Sequence, residues 1–156
     1  MYQTHSQKGR SMIEMIAVLA IIGIITVGAI AGINQGFVKY RTSKTYTEIR
    51  AINQGVAGMY AYLRTYPNSL DWAEACESNV FPSGCESDNS SAINPFGGNY
   101  AVRFNADGTM TISASGIPQA ACTELQQLTW GNYARANTGS CTNSYDGNVT
   151  FSITFD

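Results

Sequence analysis

The chain has little charge, a single histidine and none of the short motifs that bind nucleotides. Charged residues make up 13% of its 156 residues and the formal net charge is −2, so no strong basic field favours nucleic acid as a partner. The only histidine is His5, which excludes a Ser-His-Asp or Cys-His catalytic site from the C-terminal part. P-loop, GxGxxG and EF-hand spacings are all missing from the sequence. We therefore expect a protein that is not an enzyme and that needs no cofactor and no metal.

Four cysteines are present: Cys76, Cys85, Cys122 and Cys141. Their even number, in a chain with an export-like N-terminus, favours disulfides, and their spacings do not match zinc patterns such as CxxC. Three connectivities are possible. The short local loops favour Cys76–Cys85 with Cys122–Cys141, and each bond would stabilise the fold by about 2–3 kcal/mol.

One long apolar run dominates the N-terminal part. Residues 12–33 contain a single charge, Glu14, and residues 15–33 contain none. As a helix, residues 15–33 would span about 28 Å, which is close to the thickness of a bilayer core. Glycines recur at Gly28, Gly32 and Gly36, a small-xxx-small spacing that lets helices approach closely in lipid.

Two ordinary export signals also fit this segment. Lys8 and Arg10 could form the basic region of a secretory signal peptide that is cleaved after Ala31, or the run could be a simple membrane anchor. Glu14 is atypical of both because a carboxylate near hydrocarbon is costly unless it is paired. A secreted or membrane-anchored binding protein therefore stands as an alternative function.

The stretch KGRSMIEMIAVLAIIGI resembles the class III signal of type IV prepilins, in which a basic leader ends in Gly and a Glu lies five residues into the mature chain. The resemblance implies that prepilin peptidase removes residues 1–9 on the cytoplasmic side by cleaving between Gly9 and Arg10. Arg10 would then be N-methylated, although the family usually has an apolar residue or Met there. The segment also lacks the helix-breaking proline of the family.

The resemblance assigns Glu14 a role in assembly. In a filament core, its carboxylate would pair with the terminal amine of a neighbouring subunit. A buried charge pair is most costly when it is broken, so this pair would set the axial register between subunits.

Two stretches of the C-terminal part resemble the type IVb pilins, which include the major pilins of thin conjugative pili. INPFGGNYAV (93–102) is similar to the Asn-Pro-aromatic-Gly-Gly run that leads into their sheet, and IPQAAC (117–122) to the run into their disulfide-bearing helix. The resemblance implies a homo-oligomeric pilus filament on the bacterial surface, assembled from an inner-membrane precursor by a platform and an ATPase. A minor pilin or a secretion-system pseudopilin is the alternative within the family.

Periodicity predicts that the helix continues from residue 10 to residue 66 and ends before Pro67. Its second half has an apolar stripe at three- and four-residue steps, with Lys44, Glu48 and Arg50 placed elsewhere on the helical wheel. The stripe consists of Ile49, Ile52, Val56, Met59, Tyr60 and Leu63.

Residues 67–156 are predicted to form a globular head. We expect a short helix in NSLDWAEAC capped by Asn68 or Ser69, and a second in IPQAACTELQQLTWG that starts at Pro118 and ends at Gly131. Two Asp-Gly turns, at 107–108 and 146–147, would connect strands, the last of which is NVTFSITF. The predicted class is α+β: a long N-terminal α-helix, transmembrane in its first half, packed on an antiparallel β-sheet head with two disulfides.

Overall fold

The computed structural model describes residues 11–63, 66–88, 91–131, 134–135, 139–143 and 148–156. The expected leader with Gly9 and Arg10, and the turn at residues 146–147, lie outside the described residues. The chain forms two units that divide between Phe37 and Val38.

Helix α1, Met12–Met59, contributes to both units. It ends seven residues before the predicted boundary at residue 66, so that boundary is wrong. The backbone N–H of Ala61 donates to the carbonyl of Gly58 at 3.4 Å, and the N–H of Leu63 to that of Tyr60 at 2.9 Å, so the last α-helical bonds give way to a tight turn. The aromatic ring of Tyr60 packs edge-on against Phe104, 5.6 Å between centroids, and tertiary packing thereby ends the helix.

The second unit contains a five-stranded sheet, which confirms the predicted fold class. The strands are β1 Ala92–Ile93, β2 Asn99–Phe104, β3 Met110–Pro118, β4 Ser140–Asn143 and β5 Asn148–Phe155. Their order is β1-β2-β3-β5-β4, and every neighbouring pair is antiparallel. The turn at Asp107-Gly108 joins β2 to β3 as predicted, and Gly108 has the positive φ (83°) that such turns require.

The core of this unit lies between α1 and one face of the sheet. Ile49, Ile52 and Val56 are fully buried, whereas Leu63 lies beyond the helix and is exposed, contrary to the predicted stripe. Alternate residues of β5 face this core, as the strict alternation predicts. They are Val149, Phe151, Ile153 and Phe155.

Two short helices complete the head: α2, Trp72–Glu77, and α3, Gln119–Gln127. Asp71, rather than Asn68 or Ser69, caps α2, because its Oδ1 accepts a hydrogen bond from the N–H of Glu74 at 3.1 Å. Pro118 ends β3 and precedes α3, so the predicted start of this helix is one residue early. The helix also ends at Gln127, before Gly131.

Disulfides link Cys76 to Cys85 and Cys122 to Cys141, which is the pairing that the short loops favour. The first joins α2 to the loop before β1, and the second joins α3 to β4. The second disulfide therefore fixes α3 to the sheet, and the first fixes α2 to the loop that leads into β1.

Candidate functional site

The apolar part of α1 exposes nearly its whole circumference. Large apolar side chains from Met12 to Phe37 are between 43% and 84% exposed. The helix is long and apolar enough to cross a membrane, a property that signal sequences near an N-terminus share. Apolar surface on all sides of a helix has to be covered by lipid or by other helices. The segment is therefore the first candidate functional site.

Glu14 lies in the first turn of α1, where the helix dipole favours a negative charge. Its backbone N–H donates to the carbonyl of Ser11 at 2.9 Å, and its side chain is exposed. Within the described part of the chain, its carboxylate has no ion-pair partner. The expected partner is the amine of Arg10 of another subunit, and this pairing stays a prediction.

Gly28, Gly32 and Gly36 lie on the same side of α1, one turn apart. A Cβ atom built at any of these three positions would meet nothing within 4 Å in this chain. The fold of the single chain therefore does not require glycine at these positions. Close approach of another helix remains the predicted reason for them.

A buried polar network in the second unit was missed at the level of the sequence. Glu48, which was expected away from the apolar stripe on the helical wheel, is only 3% exposed. Its carboxylate accepts hydrogen bonds from the Tyr100 hydroxyl at 2.8 Å and from the Ser83 hydroxyl at 2.5 Å, and Lys44 Nζ lies 3.6 Å away. The prediction that Glu48 lies away from the buried stripe is therefore wrong: its carboxylate is buried, and these three partners offset the cost of burying it.

The network ties α1 to two other elements. Ser83 belongs to the loop that the Cys76–Cys85 disulfide closes, and Tyr100 belongs to β2. Burial of the phenol, followed by the charge and hydrogen bond of Glu48, raises the pKa of Tyr100 well above its ordinary value of 10.0. One sequence signal was available: Thr42, Thr45 and Glu48 extend the buried stripe backwards at three-residue steps.

The INPFGGNYAV run has a structural purpose in the head. Asn94 is buried, its Oδ1 accepts from the backbone N–H groups of Phe96 (2.9 Å) and Gly98 (3.2 Å), and its Nδ2 donates to the carbonyl of Ser115 (2.7 Å). A Cβ at Gly98 would collide with that same carbonyl oxygen. The run therefore forms a turn that locks the start of β2 against β3.

Two stacked aromatic pairs contribute to the packing of the head. Trp130 is buried and stacks on Phe151, with 5.3 Å between ring centroids. Trp72 stacks on Phe81 at 5.1 Å and is partly buried. Both tryptophans therefore pack within the head.

The polar surface of the described residues offers no catalytic arrangement. Glu74, Glu77 and Glu86 are exposed, and no group of His, Cys, Asp and Glu among the described residues could hold a metal ion. Arg135 pairs with Asp107 and lies 4.0 Å from Asp156. Hydrogen bonds from the Thr109 hydroxyl and then from Arg135 lower the pKa of Asp107 to about 2.

Comparison with known families gives one match to the second unit. A family model described as PilS N terminal matches residues 39–154, a range that begins after the apolar segment and contains both disulfides. No curated protein matches the chain.

Proposed function

The chain belongs to the PilS family of type IV pilus pilins, and from that membership we propose that it is the major subunit of a type IVb-like filament. The observation that carries the proposal is the apolar part of α1, because exposed apolar side chains surround it and a head alone would not need them. In the membrane, lipid would cover this surface. In a filament, the same segments of neighbouring subunits would cover it.

Processing would prepare the segment for assembly. Residues 1–9 form a leader that prepilin peptidase removes after Gly9, and the new terminal amine of Arg10 is then methylated. The precursor stays in the inner membrane through residues 10–33 until an assembly platform and its ATPase extract it. The mature chain ends in a pilus on the bacterial surface.

Assembly would then bury Glu14 among apolar helices. A carboxylate in such a place needs an opposite charge, and the terminal amine of a neighbouring subunit supplies one. Only one axial offset between helices brings the two charges together, so the pair selects the register. Gly28, Gly32 and Gly36 let the helices approach closely enough for it.

Mass spectrometry of the mature N-terminus tests the processing step. A chain that starts at Arg10, with or without a methyl group, supports the proposal. A chain that starts at Gly32 would identify an ordinary secreted protein instead.

Replacement of Gly9 by a bulky residue (Gly9→Leu) should leave uncleaved precursor in the membrane and no filaments, whereas normal filaments from this variant would contradict the leader assignment.

The variant Glu14→Val tests the register step. It should be cleaved normally but yield few filaments in sheared surface material viewed by negative-stain microscopy, because the amine loses its partner. Thr26→Val is the matched control, since it removes an exposed polar group from the same helix; the Thr26 hydroxyl donates to the carbonyl of Ile22, one turn earlier in that helix, at 2.7 Å. Wild-type amounts of filament from Glu14→Val would remove the register argument.

A further inference from the structure

Charge is divided unevenly within the second unit. Residues 39–54 of α1 carry four cations and one acid, a net charge of +3, and that acid is the buried Glu48. Residues 67–156 carry two cations and nine acids, a net charge of −7. A chain with a net charge of only −2 therefore combines a basic helix with an acidic head.

The cations of α1 are concentrated on its exposed side. At 3.6 residues per turn, one face, here called the basic face, points away from the buried Ile49 and Ile52. It consists of the exposed residues Lys39, Tyr40, Ser43, Lys44, Thr47, Arg50 and Gln54. Lys39 and Arg50 lie about 16 Å apart along the helix axis.

Among the described residues, two of the three cations of the basic face have no acidic partner. Lys44 approaches Glu48, and the Arg50 guanidinium lies 5.6 Å from the ring centroid of Tyr46. In the described part of the chain, neither Lys39 nor Arg50 has an ion-pair partner. Among the described residues, the basic face thus keeps two cations, Lys39 and Arg50, that no acid neutralises, and it attracts acidic groups.

Acidic side chains of complementary charge project from the region around α2. Glu77 follows Cys76 and Glu86 follows Cys85, so the disulfide, with 6.0 Å between its Cα atoms, holds two exposed carboxylates near each other. Glu74 lies one turn before Glu77, and the three residues are here called the acidic surface. No Lys or Arg occurs in the sequence between residues 65 and 102, and these three carboxylates have no ion pair with any described residue.

We propose that the basic face of α1 is the docking site for the acidic surface of a second copy of this chain. The inference rests on the proposed filament function. Both surfaces are exposed, and among the described residues no ion pair joins one to the other within a subunit. Every copy offers one of each, and a contact between two unlike surfaces is the head-to-tail kind from which helical filaments are built whenever its rotation does not close a ring. Complementary charge would also steer the incoming subunit and penalise other registers.

Charge reversal in the full-length chain tests the contact. The double variant Lys39→Glu/Arg50→Glu, and separately Glu77→Lys/Glu86→Lys, should each lower the amount of sheared filament about tenfold, because like charges then face each other. The chain with all four substitutions should recover most of the wild-type amount, since it restores the attraction with the signs exchanged.

Two single reversals serve as matched controls. Arg41→Glu changes an exposed cation of the same helix that lies about 200° around from Lys39, outside the basic face. Glu124→Lys changes an acid of α3, away from the Cys76–Cys85 loop. Both should leave the amount of filament unchanged, and a loss in either equal to that of the double reversals would mean that net charge alone matters.

The outcomes separate this inference from the function on which it rests. Absence of filaments from the wild-type chain would refute the function itself. Filaments from the wild type, without recovery in the chain carrying all four substitutions, would overturn the docking contact, provided that non-reducing gels show both disulfides formed. Reduced retention of the Lys39→Glu/Arg50→Glu precursor in membranes would show that the basic face binds anionic lipid instead, and would also overturn it.

A measurement on unmodified filaments covers the case in which a variant does not fold. Carbodiimide joins an amine directly to a carboxylate in contact with it. Treated wild-type filaments should give covalent dimers that contain a peptide of Lys39 or Lys44 joined to a peptide of Glu74, Glu77 or Glu86. Dimers without such a link would refute the proposal.

Discussion

Removal of the Tyr100 hydroxyl tests the buried network around Glu48. In the variant Tyr100→Phe, the carboxylate loses a hydrogen bond of 2.8 Å in a place where both side chains are nearly inaccessible to water. A hydrogen bond to a charged group contributes about 1.5–3 kcal/mol, and a buried charge that loses a donor is not resolvated. Ser83 and Lys44 still face Glu48, so we expect the free energy of unfolding to fall by about 2 kcal/mol rather than the network to collapse.

Urea unfolding of the full chain in mild detergent measures this change. The fluorescence of Trp130, which is buried against Phe151, reports on the core. Tyr46→Phe is the control, because the hydroxyl of Tyr46 donates to the carbonyl of Thr129 at an exposed site and should be worth about 1 kcal/mol or less. If Tyr100→Phe is no more costly than Tyr46→Phe, the network does not hold Glu48 as argued.

The pH dependence gives the same prediction a second readout. The pKa of Tyr100 is raised in the folded chain, whereas in the unfolded chain the phenol ionises near its ordinary value of 10.0. Above that pH the unfolded state alone releases the proton, so stability is lost as the pH rises. The wild type should therefore lose stability more steeply than Tyr100→Phe above pH 10, by up to about 1.4 kcal/mol per pH unit. Parallel curves would refute the assignment.

Three further changes probe the head in the same unfolding assay. Replacing Cys122 and Cys141 by serine removes a disulfide between residues with a sequence separation of 19, and the free energy of unfolding should fall by about 3 kcal/mol. An unchanged urea midpoint would show that this disulfide does not stabilise the head. Gly98→Ala should destabilise the head by at least about 1 kcal/mol because its Cβ collides with the Ser115 carbonyl, whereas Gly58→Ala, in open space on α1, should be neutral or stabilising. The pKa of Asp107 is lowered to about 2 in the folded head, so the stability that this carboxylate contributes is present above its ordinary pKa of 3.8 and is lost as the pH falls toward 2. The stability of Asp107→Asn should therefore fall less steeply with decreasing pH in this range than that of the wild type. Identical curves would contradict the contribution of Thr109 and Arg135.

Much of the head could be predicted because its signals are local. The alternation in β5 and the turn at Asp107-Gly108 depend on side chains a few residues apart, and both are present in the structure. The disulfide pairing also follows from short separations. Each of these features places neighbours in the sequence next to each other in space, which a reading of the sequence can detect.

The errors arose where distant residues decide the outcome. The burial of Glu48 depends on Ser83 and Tyr100, which are 35 and 52 residues away. The early end of α1 depends on Phe104, against which Tyr60 packs. The prediction relied on Pro67, a local helix breaker, but tertiary contact acted seven residues sooner. The cap of α2 was a different, local error: Asp71 accepts from the N–H of Glu74, three residues along the chain, and was as good a candidate by residue type as Asn68 or Ser69.

Two acids on α1 have opposite relations to the fold, and the difference predicts opposite consequences of mutation. Glu48 is buried and finds its partners inside the subunit, so its substitution should weaken the folded head whether or not filaments form. Glu14 is exposed, and its carboxylate has no ion pair with any described residue, so its substitution should cost the subunit no more than the interaction of a first-turn acid with the helix dipole, about 0.3–1 kcal/mol. A larger effect of replacing Glu14 must then arise when other chains cover it. Loss of filaments from a Glu14 variant whose subunit is folded and nearly as stable as the wild type would therefore be a defect of assembly.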